Sequence, residues 1–191
     1  MGENNLHGVL KDHARSVREL TRCALLVAML AVSSYIAFPL PFSPVPVSAQ
    51  TLAVTVVALI LPSGQAFKTV SLYLILGAIG APVFASGASG VGVFVGPTGG
   101  FLAGFLAAAV AMSALRERIF RENSFKAYLL IASIGALIIY FFGVLWMMIV
   151  TSLNLSGVFT AAVLPFIPGD IFKCSAAAFV ARALNKNVKL N

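Results

Sequence analysis

Pro165-Phe166-Ile167-Pro168-Gly169-Asp170-Ile171-Phe172-Lys173 opens the last apolar segment and carries two charges inside otherwise greasy sequence. Every other Lys, Arg, Asp and Glu falls in the N-terminal segment, a short loop or the C-terminal tail. An isolated charge at the centre of a membrane helix costs about 2.5–3.5 kcal/mol on insertion scales, so such groups are normally paired, hydrated or functional. Spacing of i, i+3 puts Asp170 and Lys173 on one helix face, close enough to interact. The pair reads as the polar anchor of a small-molecule site; the blander reading is a structural ion pair.

Working outward, the rest of the chain is membrane protein. Of 191 residues, 60% are hydrophobic and 10% charged. A soluble domain carries about 25% charged residues. The net charge of +7 does not point to nucleic acid, because the basic residues are scattered between apolar segments as the positive-inside rule expects. Cys23 and Cys174 fall within apolar segments and read as small buried thiols, with no disulfide framework or metal site. No cleavable signal peptide is expected.

Six short spans are predicted, at about 23–38, 48–61, 67–80, 96–115, 128–153 and 169–184. This gives an all-α integral membrane fold, a six-transmembrane-helix bundle. It divides the chain into an inner segment 1–22, a membrane domain 23–184 and an inner tail 185–191. Residues from His13 to Leu20 fit an amphipathic helix lying on the inner membrane face, and neither His7 nor His13 is placed to ligate metal. With the N-terminus inside, twelve of the thirteen basic residues lie on inner segments, the exception being Lys173, and all three outer loops are neutral.

The first span contains Ala24 and Ala28, a small-xxx-small spacing that admits close approach of another helix. Four prolines between Phe38 and Pro46 make a stiff extended segment and not a helix, either a connector or a lid. Gly64, Lys68 and Thr69 superficially suggest a phosphate loop, but the glycine before the lysine is missing. Glycines across 87–96, with Phe84 and Phe94, favour a packed loop facing a ligand. Pro97 suits the first turn of the fourth span, and Gly96, Gly100, Gly104 and Ala108 form a flat stripe for helix packing. Arg116, Glu117, Arg118, Arg121, Glu122 and Lys126 read as a charged loop. The fifth span reads as scaffold, Tyr140 included, with Trp146 as an interfacial anchor.

On the outer side the polar inventory is Gln50, Thr51, Ser86, Ser89, Thr98, Asp170 and Lys173. Around it stand Phe38, Phe42, Phe84, Phe94 and Phe166. Apolar walls with a few placed polar groups are the usual make-up of a ligand pocket. One acid and one base suit a ligand that both donates and accepts hydrogen bonds. An enzyme would need paired carboxylates, a His cluster or a nucleophile with its base, and a channel rings of like groups; neither is present in the sequence. A structural membrane subunit without ligand is the remaining alternative.

Phe38-Pro39-Leu40-Pro41-Phe42-Ser43-Pro44-Val45-Pro46-Val47, Gln50-Thr51-Leu52-Ala53, Gly77-Ala78-Ile79-Gly80-Ala81-Pro82-Val83-Phe84, Gly96-Pro97-Thr98-Gly99-Gly100 and Pro168-Gly169-Asp170-Ile171-Phe172-Lys173 occur in that order. Together they resemble the BioY family, the biotin-binding S components of energy-coupling factor (ECF) vitamin transporters. The resemblance covers most of residues 20–185. It implies a six-helix S component in a prokaryotic cytoplasmic membrane, both termini inside, capturing biotin from outside as a transported ligand and not as a covalent cofactor. It implies partners: a transmembrane coupling subunit and two ATP-binding cassette (ABC) ATPases, which some members lack as a dedicated set. On it, Ala24 and Ala28 would meet the coupling subunit, Asp170 and Lys173 would bind biotin, and Ser86 takes the polar position after the Pro-Val-Phe-Ala block. Other vitamin-specific S components share the architecture, so a different vitamin is the alternative within the class.

Overall fold

The computed structural model describes residues 3–118 and 124–187, and the side chains of residues 3–12, 14, 15 and 187 are outside that description. Arg121, Glu122, Lys189 and the tail beyond Asn187 thus lie outside the described residues, as do the side chains of Lys11 and Arg15. Among the described residues, eight α-helices, a β-hairpin and one 3-10 turn follow in order.

Six long helices form the expected bundle: α1 (Glu3–Tyr35), α2 (Gln50–Ile60), α3 (Ser63–Ala78), α5 (Gly99–Arg118), α6 (Phe125–Thr151) and α8 (Ile167–Asn187). Two short ones, α4 (Gly92–Val95) and α7 (Leu155–Ala162), lie between them. By length and composition α5 and α6 can each cross a membrane, and α7 with α8, bent by 55°, makes a third crossing if taken as one span. At 11 and 16 residues, α2 and α3 reach only about 16 and 24 Å, short of a hydrocarbon core about 30 Å thick. Only α2 is central; α3 packs on α5 and α1 and leaves Phe67, Leu72 and Ile75 exposed.

The centre is α2. From Ala53 to Leu59 every residue is buried, as befits a helix apolar on all faces. Around it pack α5, α8, α1, α3 and α6. Its C-terminal carbonyls are capped by a side chain from another helix. The Arg116 guanidinium donates to Leu59 O at 2.9 Å and Ile60 O at 3.0 Å. Asn185 Nδ2 also donates to Leu59 O, at 3.1 Å, and to the Tyr128 hydroxyl at 2.9 Å. A cation here satisfies orphan carbonyls and opposes the negative end of the helix dipole.

The glycine stripe on α5 packs against α6, and α6 answers with its own glycines. A Cβ on Gly100 would lie 2.3 Å from Trp146 Cβ, and one on Gly104 3.0 Å from Ile139 Cα. In return Phe101 covers Gly143 and Met112 covers Gly135, where an added Cβ would sit 2.3 Å from the ring and 2.1 Å from sulfur. Trp146, partly buried, packs on Gly100, and its Nε1 donates to Gly96 O at 3.0 Å.

Several expected boundaries move. No break separates a membrane-surface helix from the first span, because α1 runs on without interruption. The proline segment is a β-hairpin, β1 (Ala37–Leu40) against β2 (Ser43–Ser48), with Phe38 opposite Val47. With two strands only, each has a free edge where proline's missing donor costs nothing. Arg116 and Arg118 form the last turn of α5, and Lys126 lies in the first turn of α6, so these residues are helical and not part of a loop. Pro97 lies two residues ahead of α5. The uncharged stretch before Asp170 holds α7, capped by Asn154 through Gly157 N.

Candidate functional site

At the end of the bundle away from Arg116 and Asn185, the β-hairpin, the starts of α2, α5 and α8 and the 84–88 segment enclose a cavity of about 320 Å³. That volume lies at the small end of ligand pockets, about 300–1,000 Å³. Depth follows from helix geometry. Asp170 is 17 residues before the end of α8, hence about 25 Å from the basic end.

Asp170 and Lys173 form the expected ion pair, Nζ to Oδ1 at 2.7 Å, with side chains 12% and 13% exposed. Lys173 also donates to the Thr51 hydroxyl at 3.1 Å. Asp170 Oδ2 accepts from the Tyr140 hydroxyl. Asp170 also lies in the first turn of α8, at the positive end of that helix dipole. The pair lines the cavity and does not escape to an interface.

Gln50 begins α2 and is 3% exposed. Its Oε1 accepts from Ser48 Oγ at 2.9 Å, and its Nε2 donates to the Tyr73 hydroxyl. Tyr73 in turn donates to Val83 O at 2.8 Å. One polar chain thus fastens hairpin, α2, α3 and the 83–88 segment to one another. A buried network of this kind is rigid when fully satisfied.

Phe84 forms part of the cavity wall and is 1% exposed. Its ring lies on Gly77, where an added Cβ would be 2.1 Å from Cζ. Edge-on contacts to Tyr73 and Phe94, centroids 5.7 and 5.5 Å away, are the favoured geometry for aromatic pairs. The following 3-10 turn, Ala85–Gly87, holds Ser86 at φ 58°, a left-handed conformation that non-glycine residues seldom adopt. Ser86 lines the cavity and is exposed.

Of the expected site residues, Gln50, Thr51, Phe84, Ser86, Thr98, Asp170 and Lys173 line this one cavity, as does Phe166. Phe42 does not. It occupies the hairpin turn and is 61% exposed, because the strands end before its side chain can alternate inward. Phe38, Phe94 and Ser89 are also absent from the lining. Ala24 and Ala28 are exposed on α1, beside exposed Leu25 and Val32.

Sequence reasoning missed Tyr140 and Cys174, both in the lining, and Tyr73 behind it. Tyr140 had a usable signal: Ala136, Ile139 and Tyr140 recur at i, i+3, i+4 and face the cavity together. Chemically, the site offers a carboxylate with spare lone pairs, an ammonium, an amide and hydroxyls among aromatic and proline walls. Among the described residues no group of three or more His, Cys, Asp or Glu stands ready for a metal ion.

Comparison with known proteins agrees with this architecture. A solved S component for biotin from an ECF-type ABC transporter superposes with a TM-score of 0.85 at 26% identity, covering 91% of this chain and 93% of that one. The biotin transporter BioY2 of Lactococcus lactis subsp. cremoris (strain MG1363) is 38% identical over 86% of this chain and 88% of its own length. The biotin transporter BioY of Rhodobacter capsulatus is 36% identical over 87% and 93%. The model of the BioY family matches residues 5–190, and this chain is a member of that family.

Proposed function

We propose that this chain captures biotin at high affinity and carries it across the cytoplasmic membrane of a prokaryote, as the substrate-specific subunit of an ECF-type transporter. The observation that carries the reading is the Asp170–Lys173 pair set in the wall of a vitamin-sized cavity. The ureido ring of biotin has two N–H donors and a carbonyl acceptor. Asp170 accepts from an N–H, and Lys173 donates to the carbonyl or to the valerate carboxylate. Gln50, Thr51, Ser86 and Thr98 supply further polar contacts, and Phe84 covers the apolar ring. Biotin is cargo here, and no reaction is performed on it.

The cavity end faces outward. Arg116, Arg118 and Lys126 at the opposite end agree with that orientation, since basic residues favour the inner side. The exposed Ala24 and Ala28 present a low-relief helix face to a transmembrane coupling subunit, with ABC ATPases supplying the energy. Replacing either alanine by Trp leaves biotin binding intact but lowers uptake or complex assembly. Retention of both would remove the interface assignment.

Calorimetric titration of detergent-purified protein with biotin, beside riboflavin and thiamine, tests the main claim. Saturable binding of biotin alone is expected. Binding of another vitamin instead, or of none, overturns it.

A further inference from the structure

We infer that Tyr140 is a positioning residue that fixes the Asp170 carboxylate for a ligand N–H, and so sets the preference of the site for the ureido ring. The inference deepens the proposed biotin site and rests on it.

The two carboxylate oxygens are held from different helices. Lys173 engages Oδ1 from the next turn of α8 itself, at 2.7 Å. Tyr140 engages Oδ2 from α6, thirty residues away in sequence. The terminal torsion of Asp is broad and nearly two-fold. With Lys173 alone, donor and acceptor ride on one helix and can turn together. Tyr140 breaks that freedom, because α6 is locked to α5 by the reciprocal glycine contacts at Gly100, Gly104, Gly135 and Gly143. The closely packed α5–α6 pair therefore sets the plane of the carboxylate.

The count of lone pairs points the same way. An ionised carboxylate has about four acceptor sites, and the two side chains use one on each oxygen. Two remain, in a plane already fixed. Tyr140 gives its only hydroxyl proton to Asp170, so its influence on a ligand N–H passes through the carboxylate. Holding an acceptor in its bound orientation before the ligand arrives raises affinity by removing an ordering cost. No residue of the hairpin or of the 84–88 segment contacts either oxygen among the hydrogen bonds of the described residues, so nothing else duplicates the role.

Radiolabelled biotin binding to the full-length protein in detergent tests this through competition by two ligands. One is biotin. The other is its cyclic carbonate analogue, in which oxygen replaces both ureido N–H groups. Tyr140→Phe is expected to weaken biotin about tenfold, the size of one charge-assisted hydrogen bond, and to leave the carbonate analogue within about twofold. The preference between the two ligands then narrows about tenfold. That ratio is independent of how much of the sample is folded. In an Asp170→Asn background, Tyr140→Phe is expected to change biotin affinity less than twofold, since coupled residues are not additive. Equal weakening of both ligands, a full additional loss in the Asp170→Asn background or unchanged biotin binding overturns the inference. Unchanged binding in Tyr140→Phe with normal wild-type binding removes only the positioning role, whereas a wild-type protein that ignores biotin removes the proposed function with it.

Discussion

Lys173 reaches from α8 to the hydroxyl of Thr51 on α2, 3.1 Å from Nζ to Oγ1, joining residues 122 apart in sequence. With the bond to Asp170, it makes the ammonium a brace between two helices as well as a ligand group. Thr51→Val removes one acceptor and keeps the ion pair, so stability falls by about 1 kcal/mol and biotin affinity falls several-fold. Lys173→Met leaves a buried carboxylate without its counter-charge, which costs about 3–5 kcal/mol. Asp170→Asn with Lys173→Met restores most of that stability but not binding. Thermal unfolding in detergent beside a binding titration separates the two roles. Full binding by the stable double variant would show that the pair is structural only.

The wall beside this pair depends on the absence of a side chain. Gly77 gives the Phe84 ring its seat, and a methyl there would stand 2.1 Å from Cζ. Gly77→Ala forces the ring out of its place between Tyr73 and Phe94, reshaping the cavity without touching a polar group. Phe84→Ala empties the same volume and costs about 3–5 kcal/mol. Both variants should lower biotin affinity, and the pair Gly77→Ala with Phe84→Leu should recover part of it. Affinity unchanged in Gly77→Ala would mean that Phe84 does not shape the site.

Helix packing gives a sharper contrast. At Gly100 an added Cβ meets the Phe142 carbonyl at 2.4 Å, backbone that cannot step aside, whereas at Gly64 nothing lies within 4 Å. Gly100→Ala therefore pushes α5 from α6 and destabilises by about 1–3 kcal/mol. Gly64→Ala, in the first turn of α3, is neutral or stabilising by up to about 1 kcal/mol. Melting temperatures of the two variants should move apart. Equal shifts would mean that α5 and α6 are not in close contact.

What the sequence made legible were signals that survive in one dimension. Two charges in apolar surroundings marked Asp170 and Lys173. Four prolines ruled out helix over 38–46, though nothing in them announced that the segment would fold back as paired strands. Glycine spacing exposed the α5 face, but Gly135 and Gly143 on α6 are eight residues apart and isolated, so the reciprocal face stayed hidden. Tyr140 reads as scaffold in the sequence because a tyrosine in a uniformly apolar helix looks alike whether it faces lipid or a carboxylate; only tertiary structure brings Asp170 to it. The uncharged stretch 154–168 reads as loop, although Asn154 ahead of an apolar run is a capping signal for α7. Pro168 precedes the last span expected from the sequence, yet it is the second residue of α8, within the first turn, where its missing donor costs no hydrogen bond.

Cys174 offers a direct report on occupancy. Its side chain lines the cavity next to Lys173 and is 9% exposed, while Cys23 lies partly exposed on α1, outside that lining. A small thiol reagent entering the cavity meets Cys174 in the space a ligand would fill. In a Cys23→Ser protein, labelling by methyl methanethiosulfonate should be slow and should fall at least about tenfold with saturating biotin, the occupied fraction being blocked. In a Cys174→Ser protein, labelling of Cys23 should not respond to biotin. Loss of protection in Asp170→Asn, at biotin concentrations that protect the parent, would tie the effect to the site itself. Protection of Cys23 instead, or of neither thiol, would mean that biotin binds away from this cavity.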